Sequence, residues 1–437
     1  MSAKPKILTL GWEFPPLCAG GLGPACYGLT KALSRYVDNT LILPRHEKKF
    51  KVRNVTIIGL NHVVSEILSM QSRKMDSIIS EEINWDEELF SSYPLTLPRK
   101  AIQQLMISET RHHISKAERE NLFSEKDIYG TNIMKKVAAY TGLVCELADD
   151  LDFDIIHAHD WITYSAGVQL KRYTNKPLVV HVHSLETDRV HPQSRNTVYE
   201  IERIGMLEAD RVLPVSNFTK RCIVNHYGIE ERKIAPVYNG YDADFNFNTR
   251  RTGQKFETLK REKKVLFLGR ITAQKGPEFL IDTAKKLFAK MDNVKIYIAG
   301  TGDLKSHLEY LVSKNKLNNK IVFTGFLNKE DVKKLLSETD AYIMPSVSEP
   351  FGLSAVEAAQ FNIPCVISKQ SGAAEVLPNT LQADFWDTDK MANYLFASLN
   401  YKSLSDTLTE KTQVNLKDIN WDSAARTVLS NYIYLLN

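Results

Sequence analysis

The chain has 437 residues, of which 43% are hydrophobic and 25% charged, and its formal net charge is only +4. This composition is that of an ordinary globular protein, so it excludes a collagen-like or disordered chain, and the small basic excess argues against a protein that coats nucleic acid. The length exceeds what one hydrophobic core usually serves, which predicts at least two domains.

The five cysteines are scattered along the chain, and no two of them form a Cys-x-x-Cys pair. Such a set fits neither a disulfide framework nor a thiolate zinc site and is typical of a reducing compartment. A charge at Glu13 interrupts the apolar run near the N-terminus, and no apolar stretch reaches the roughly 18 residues of a membrane span. We therefore expect a cytoplasmic protein that neither binds nucleic acid nor spans a membrane.

Short apolar runs of strand length alternate with helix-length segments in both halves of the chain. The predicted strands lie at residues 7–10, 40–43, 155–156, 178–180, 212–215, 265–268, 294–298, 321–323, 341–344 and 364–367. A helix is predicted over residues 279–290, where apolar side chains recur at helical spacing. This alternation indicates an α/β fold built from doubly wound parallel sheets.

The alternation is interrupted between residues 241 and 264, in a stretch that has no apolar period and ends in a run of charges. This stretch is the best candidate for a linker between two α/β domains. A second irregular stretch, from residue 65 to residue 127, is predicted to be a helical excursion from the first sheet. Because ligands bind beyond the carboxyl ends of parallel strands, two such domains predict one shared ligand site in the cleft between them.

The strongest candidate site follows the predicted strand 341–344, where a loop containing proline and glycine carries a carboxylate. Glu349 would face the cleft from this loop, and Glu357 would lie in the first turn of a helix that opens at Ser354. Both carboxylates could accept hydrogen bonds from sugar hydroxyls. Glu357 also has a structural alternative, because Ser354 and Glu357 have the spacing of an N-terminal capping box.

A second candidate follows the predicted strand 265–268, where Arg270 ends the strand and Lys275 precedes a helix that begins near Pro277. Two cations and a helix N-terminus at one sheet edge suit a diphosphate, whose negative charge grows as it departs. The alternative is that both are ordinary solvated side chains of a loop between a strand and a helix.

Glycines follow the first predicted strand, at positions that include Gly20 and Gly21. They would let backbone N–H groups approach a phosphate or a sugar closely, although a plain structural turn would favour the same residues. The run is not the Gly-x-Gly-x-x-Gly pattern of dinucleotide-binding proteins.

Two His-x-His pairs end two of the predicted strands, His157 with His159 and His181 with His183. Alternate residues of a strand share a face, so each pair could present both rings together. With acidic side chains nearby, the four histidines could bind a metal ion. Histidines at the end of a buried strand are more often core residues or substrate contacts, which is the interpretation we favour.

In this order, these segments resemble the retaining glycosyltransferases of GT-B fold, the group that holds bacterial glycogen and starch synthases and the family-4 sugar transferases. The resemblance spans nearly the whole chain. The motifs that carry it are Gly-Gly-Leu-Gly at 20–23, His-Ala-His-Asp-Trp at 157–161, Pro-Val-Ser at 214–216, Val-Tyr-Asn-Gly-Tyr-Asp at 237–242, Gly-Arg at 269–270, Lys-Gly at 275–276, Gly-Thr-Gly at 300–302, and the segment 349–357.

The resemblance implies two Rossmann-like domains that face each other across a central cleft. The N-terminal, acceptor-side domain would span residues 1–242, and the domain that binds the nucleotide sugar would span residues 243–415. A closing helix within residues 416–437 would cross back onto the N-terminal domain.

The activity implied is transfer of a sugar from a nucleotide diphosphate sugar with retention at the anomeric carbon. His159 would lie beside that carbon, Arg270 and Lys275 would hold the diphosphate, and Glu349 would contact the sugar hydroxyls. Because the two cations offset the charge of the diphosphate, neither a metal ion nor another cofactor is expected. The further donor-binding residues implied are Gly20, Gly21 at the distal phosphate, Gly300, Phe351, Gly352, Leu353, and Glu357 at the ribose.

Two more motifs are similar to those of the α-glucan synthases, Gly-Trp-Glu-Phe-Pro-Pro at residues 11–16 and Tyr-Gly-Thr-Asn at residues 129–132. They favour ADP- or UDP-glucose as the donor and a glucan as the acceptor. Two departures favour a family-4 transferase with a lipid, polysaccharide or small-molecule acceptor. Ala19 stands where glycogen synthases usually carry a lysine, and Glu357 is more typical of the family-4 side. A catalytically silent nucleotide-sugar-binding protein and a metal-dependent hydrolase are the remaining alternatives.

Overall fold

The computed structural model describes residues 4–18, 20–62, 122–123, 128–130, 132–190, 193–241 and 262–437. Within these ranges the chain forms two six-stranded sheets flanked by helices, which confirms the predicted α/β fold. Nearly all of the predicted excursion 65–127 and most of the predicted linker 241–264 lie outside the described residues. The same is true of the predicted domain boundary at residue 242 and of Ala19.

The first sheet has the strand order β3-β2-β1-β4-β5-β6, and all neighbouring strands in it are parallel. Its strands are β1 (Lys6–Leu10), β2 (Asp38–Leu43), β3 (Val55–Gly59), β4 (Ile155–His159), β5 (Leu178–Val182) and β6 (Arg211–Pro214). Its helices are α1 (Leu22–Leu33), α2 (Ile133–Ala148), α3 (Trp161–Thr174), α4 (Glu186–Arg189), α5 (Thr197–Glu208) and α6 (Asn217–Cys222). The winding direction reverses between β1 and β4, and in doubly wound sheets ligands bind at the carboxyl ends of such strands.

The second sheet has the order β12-β11-β10-β7-β8-β9 and is also parallel throughout. Counted from its own first strand, this order is the same as that of the first sheet. Its strands are β7 (Lys263–Leu268), β8 (Val294–Ala299), β9 (Ile321–Gly325), β10 (Ala341–Met344), β11 (Cys365–Ser368) and β12 (Leu381–Ala383). The helices of this half are α7 (Pro277–Phe288), α8 (Lys305–Lys314), α9 (Lys329–Glu338), α10 (Leu353–Gln360), α11 (Ala373–Val376), α12 (Thr388–Asn400) and α13 (Lys402–Leu416).

Each sheet is covered on both faces, so its central strands are largely buried. Every residue of β4, β5 and β10 is buried. Central parallel strands between two layers of helices are expected to show this pattern, and their burial holds the loops at the carboxyl edge in fixed positions. None of the helices in the described ranges is long and apolar enough to cross a membrane.

The last helix, α14 (Trp421–Leu436), packs against α1 of the first half. Gly28 allows this packing, because a Cβ at that position would lie only 2.1 Å from Cε2 of Trp421. Tyr36 donates a hydrogen bond of 2.8 Å to Asp422 at the start of the same helix. Near its end, the hydroxyl of Tyr432 lies 2.5 Å from Nδ1 of His157, so α14 reaches the core of the first sheet.

Candidate active site

The loops that follow β7 and β10 are packed against each other. After β7 the chain makes a short 3-10 turn and passes through Gly276 with a φ of +65°. A Cβ on Gly276 would lie 2.1 Å from the carbonyl oxygen of Pro345, so only glycine fits this crossing. The N–H of Val347 donates to the carbonyl of Gln274 at 2.9 Å, which ties the two loops together.

This packing brings together two of the predicted site residues. Nζ of Lys275 lies 2.5 Å from Oε2 of Glu349, and Ser346 donates to the same carboxylate oxygen at 3.2 Å. The Glu349 residue is only 6% exposed. The alternative of ordinary solvated loop side chains is therefore wrong for Lys275. Arg270 is exposed, and within the described part of the chain it has no hydrogen bond or ion pair, which leaves its guanidinium available to an anion.

Gly300 holds the loop of Arg270 in place. Its φ is +141°, and a Cβ on it would lie 1.9 Å from the carbonyl oxygen of Gly269. A Cβ on Gly302 would lie 2.3 Å from the carbonyl oxygen of Ile271. The Gly-Thr-Gly motif thus allows the backbone segments that follow β7 and β8 to approach each other closely.

The loop of Glu349 ends at Gly352, which is the N-cap of α10 and has a φ of +97°. The predicted helix start at Ser354 is wrong, because the left-handed turn at Gly352 begins the helix at Leu353. The capping-box alternative for Glu357 is also wrong, since the Ser354 hydroxyl instead lies 2.8 Å from the hydroxyl of Tyr342. Burial raises the pKa of Glu357 to about 7, so this carboxyl holds its proton more tightly than usual.

Phe351 and Leu353 occupy different places in this segment. Phe351 is 3% exposed and packs with its ring centre 6.5 Å from that of Tyr238. Leu353 lies at the edge of the cleft, because a Cβ on Gly21 would be 3.9 Å from its Cδ1. The glycine-rich loop of the first half therefore faces the beginning of α10 in the second half, as one shared site between two domains requires.

The conformation of the glycine-rich loop is supported by a buried carboxylate. The N–H of Gly20 donates to Oε2 of Glu13 at 3.2 Å, and the hydroxyl of Tyr129 donates to the other oxygen. Gly21 is the N-cap of α1, where the helix dipole favours an anion. Sequence reasoning did not assign this role to Glu13, although the residue stands inside the Gly-Trp-Glu-Phe-Pro-Pro motif.

The four histidines form one cluster at the carboxyl ends of β4 and β5, in which His183 is partly exposed and the other three are buried. Nδ1 of His159 lies 2.9 Å from Nε2 of His183, and Nε2 of His157 lies 3.3 Å from Nδ1 of His181. Burial lowers the pKa of all four rings, that of His159 to about 3. The rings are therefore neutral near pH 7.

Cys26, His159 and His183 have ligand atoms within 4.8 Å of one another, as a metal site would need. The geometry of the two rings, however, is that of a hydrogen bond. The ring centres are 5.2 Å apart, and the ring planes are inclined by 22°. Each nitrogen lies about half a ring width from the centre of its own ring. These two half-widths and the 2.9 Å between the nitrogens together account for the whole distance between the centres. The two nitrogens thus lie on the line between the ring centres, and their lone-pair axes point at each other rather than at a common third atom.

Asp160 holds the two histidine-bearing strands together. Its backbone adopts a φ of +59°, which is unusual for a residue with a side chain and is found at functional sites. Its carboxylate accepts hydrogen bonds from the N–H groups of His183 and Ser184, at 2.7 and 3.4 Å. Burial raises the pKa of Asp160 to about 7 in spite of these donors.

Hydrogen bonds that the sequence did not predict join the two halves beside the site. The Ser348 hydroxyl donates to Asp188 at 2.5 Å, and the Ser216 hydroxyl donates to the carbonyl of Pro350 at 2.6 Å. A Cβ on Gly372 would lie 2.4 Å from that same carbonyl oxygen. Ser216 belongs to the Pro-Val-Ser motif and could have been found from it, whereas no local pattern marks Asp188 or Ser348.

Two protein-family models match the chain, one in each half. The model described as glycosyltransferase family 4 matches residues 127–245, and the model described as glycosyl transferases group 1 matches residues 249–410. The chain belongs to the GT-B glycosyltransferases. The resemblance drawn from the ordered motifs is thereby confirmed.

Relatives of this GT-B glycosyltransferase cover nearly all of its length. It is 27% identical to an uncharacterized glycosyltransferase of Methanocaldococcus jannaschii over 98% of this chain and 97% of that protein. It is 24% identical to a glycogen synthase of Mycobacterium tuberculosis over 86% of this chain and 80% of that protein. The structure of Anabaena HepE with UDP and glucose superposes with a TM-score of 0.63 at 16% identity, covering 98% of both chains, so the two share the fold.

Proposed function

We propose that this GT-B glycosyltransferase moves a hexose, most naturally glucose, from a nucleotide diphosphate sugar to an acceptor with retention of the anomeric configuration. The observation that carries the proposal is the contact of 2.5 Å between Lys275 and Glu349, on the side of the cleft that faces the Gly21 loop. The contact places a cation directly beside a carboxylate. A diphosphate sugar carries a phosphate directly beside sugar hydroxyls, so the phosphate can bind the cation while the hydroxyls donate to the carboxylate.

The diphosphate is assigned to the cations. Arg270 offers a planar fork of donors, and Lys275 offers a point charge on a flexible stem, so together they can follow the charge as the nucleotide departs. The N–H of Gly21, at the start of α1, is assigned to the distal phosphate. Glu357 is assigned to the ribose, whose two hydroxyls can donate to a carboxylate.

The sugar is assigned to Glu349 and His159. Glu349 accepts hydrogen bonds from the sugar hydroxyls, and His159 lies beside the anomeric carbon, where positive charge develops. The acceptor attacks on the face from which the nucleotide leaves, so no protein nucleophile is required. Closure of the two halves keeps water from the donor. The loops at Gly20, Gly300 and Gly352, together with Phe351 and Leu353, shape the donor pocket around these groups.

We further propose that the reaction needs neither a metal ion nor another cofactor. Arg270 and Lys275 supply the charge that a divalent cation would otherwise supply to the diphosphate. The linear hydrogen bond between His159 and His183 supports this proposal, because it occupies one nitrogen as donor and the other as acceptor and leaves neither to a shared ion.

For the substrates we propose ADP- or UDP-glucose and a glucan acceptor, with the cytoplasm as the compartment. The similarity to a glycogen synthase and the glucan-synthase motifs near residues 11–16 support the glucan, and the UDP and glucose in the HepE structure support the donor class. Scattered free cysteines support the compartment. A family-4 transferase with a non-glucan acceptor is the second candidate, favoured by Ala19 and by Glu357, which stands at a position more typical of that group.

A panel of ADP-, UDP- and GDP-glucose, scored by thermal shift and by nucleotide release, tests the proposal. A ligand at about 100 times its Kd stabilises the folded state by about 2.7 kcal/mol, so the true donor should raise the melting temperature clearly. Transfer should follow with a glucan, and proton NMR should show the product first as the anomer present in the donor. The opposite anomer would refute retention. Binding without transfer to glucans or lipid acceptors would establish a silent binding protein, and no binding at all would refute the proposal.

A further inference from the structure

We infer that His183 and Cys26 hold His159 in the tautomer that carries its proton on Nε2, so that His159 presents a hydrogen-bond donor to the sugar. This inference rests on the proposed function, which places His159 beside the donor sugar. His183 is then a positioning residue, which acts on the substrate only through His159.

The starting point is that a hydrogen bond between two neutral imidazoles has one direction. Nδ1 of His159 and Nε2 of His183 lie 2.9 Å apart on the line between the ring centres, so one nitrogen carries the proton and the other accepts it. A neutral ring carries a single N–H, and its position on one ring therefore determines its position on the other.

The other nitrogen of His183 decides the direction. Nδ1 of His183 is buried and has no hydrogen-bond partner among the residues that the structure describes. If the proton were on Nδ1, a buried N–H would lack an acceptor, and orphaned buried donors are rarer than acceptors with an unused lone pair. The proton is therefore on Nε2 of His183, and this N–H donates to Nδ1 of His159.

The thiol of Cys26 fits the same direction. Its Sγ lies 3.5 Å from Nδ1 of His159, within reach of a weak sulfur hydrogen bond. Burial raises the pKa of the thiol well above its ordinary value, so the group is S–H and can donate. Both neighbours of Nδ1 of His159 can thus donate to it, and with His183 as the donor the proton of His159 is on Nε2.

The second pair of histidines follows the same order. Nε2 of His181 is also buried without a partner in the described ranges, so His181 donates through Nδ1 to Nε2 of His157, at 3.3 Å. His157 then carries its proton on Nδ1 and donates to the hydroxyl oxygen of Tyr432, at 2.5 Å. Tyr432 of the last helix therefore contacts the pair formed by His157 and His181, while Cys26 contacts the pair formed by His159 and His183. Each contact supports the hydrogen-bond direction of its pair.

His159 is therefore a hydrogen-bond donor, and not a general base, beside the anomeric carbon. With its proton on Nε2 and its Nδ1 lone pair occupied, His159 can donate to a sugar oxygen but cannot take a proton from the acceptor. Cys26 and the other three histidines face this ring, and burial, which lowers the pKa of His159, keeps it neutral among them at pH 7.

The direct test is the tautomer of His159 in the wild-type protein labelled with 15N-histidine. Long-range 1H–15N spectra distinguish protonated from unprotonated ring nitrogens, and the signals of His159 are those lost in His159→Gln. We expect a protonated Nε2 and an unprotonated Nδ1. A protonated Nδ1 on His159 overturns the inference. This result is independent of turnover, so an enzyme that releases no nucleotide would refute the proposed function without deciding the tautomer.

The functional test compares two variants of His183 in nucleotide release. His183→Gln keeps an N–H at the place of Nε2 and should retain kcat/KM within about threefold, whereas His183→Glu offers an acceptor and should lose about 100-fold, the usual effect of a lost electrostatic donor. His183→Glu should also move the proton of His159 to Nδ1 in the NMR spectrum. Equal losses in two folded variants, with the tautomer unchanged, would contradict the positioning role.

Discussion

Nζ of Lys275 lies 2.5 Å from Oε2 of Glu349, and the two side chains are only 19% and 8% exposed. In the absence of a donor, each charge is neutralised by the other in a largely buried position. A phosphate that binds Lys275 must therefore compete with the carboxylate, while the sugar that accompanies the phosphate offers hydroxyls to that carboxylate in return. Binding of the whole donor satisfies both groups, and binding of a nucleotide alone satisfies only one.

We expect Glu349→Gln to bind UDP more tightly than the wild type and to transfer sugar more slowly. The amide no longer attracts the ammonium of Lys275, so the diphosphate should gain about tenfold in affinity, or ~1.4 kcal/mol. Isothermal titration with UDP and a nucleotide-release assay measure the two effects. A parallel loss of UDP affinity and turnover would contradict the competition between carboxylate and phosphate.

Ser348→Ala should favour a more open arrangement of the two halves. It removes the hydrogen bond to the buried carboxyl of Asp188, a type of bond worth about 1.5–3 kcal/mol. We expect a larger radius of gyration in small-angle X-ray scattering without donor, and weaker donor binding. Ser430→Ala is the control, because that exposed serine bonds only within α14. Identical scattering of Ser348→Ala and the wild type would show that this contact does not hold the halves.

Gly28→Ala should destabilise the protein, although alanine favours helices over glycine. The new methyl group would lie 2.1 Å from the ring of Trp421, and such overpacking costs about 1–3 kcal/mol. Gly142→Ala in α2 is the matched control, since a Cβ there meets no atom within 4 Å and should be neutral or stabilising by up to about 1 kcal/mol. Urea denaturation of both variants checks this. Equal stability of the two would contradict the close packing of α14 on α1.

Stability should fall between about pH 6 and pH 8 because of Glu202. Arg189 is shared between Glu186 and Glu202, at 2.9 and 3.3 Å, and burial raises the pKa of Glu202 to about 8 against the attraction of Arg189. The folded protein thus keeps a proton that the unfolded chain releases above its ordinary pKa of 4.5. The stability that Glu202 contributes is complete below that pKa and is lost as the pH rises through 8.

Glu202→Gln removes this titration and should make the decline shallower, with the remainder coming from Asp160 and Glu357, whose pKa values burial raises to about 7. Denaturation midpoints at the two pH values measure it for the wild type and the variant. Glu208→Gln is the control on the same helix, because its carboxylate pairs at 3.0 Å with the half-exposed Arg172. An equally steep decline in Glu202→Gln would mean that another group carries the proton.

The buried strands could be predicted from the sequence because they are continuous apolar runs. All ten predicted strands are present, and β10 begins and ends at the predicted residues. The two strands that were missed, β3 and β12, lie at sheet edges and are mostly only partly buried, so they lack such a run. The N-cap of α10 was misplaced by two residues, at Ser354 instead of Gly352, because a serine three positions before a glutamate imitates a cap. The left-handed φ of Gly352 sets the true start.

The juxtaposition of Lys275 and Glu349 could also be anticipated. They follow β7 and β10, which are neighbours in one sheet, and the carboxyl ends of parallel strands share an edge. The hydrogen bond between Ser348 and Asp188 could not, because it depends on how two separate sheets face each other. The direction of the hydrogen bonds in the histidine cluster depends on which ring nitrogens lack partners, and no sequence pattern records this.

The central claim is tested most directly by nucleotide release from the accepted nucleotide sugar. Lys275→Ala and Glu349→Ala should lose release by at least about 100-fold while circular dichroism and thermal unfolding show a folded protein. Lys286→Ala breaks another lysine–carboxylate pair, with Asp389 at 2.5 Å, in the helices behind the second sheet, and should keep wild-type release. Full activity in both site variants would contradict the assignment of this site.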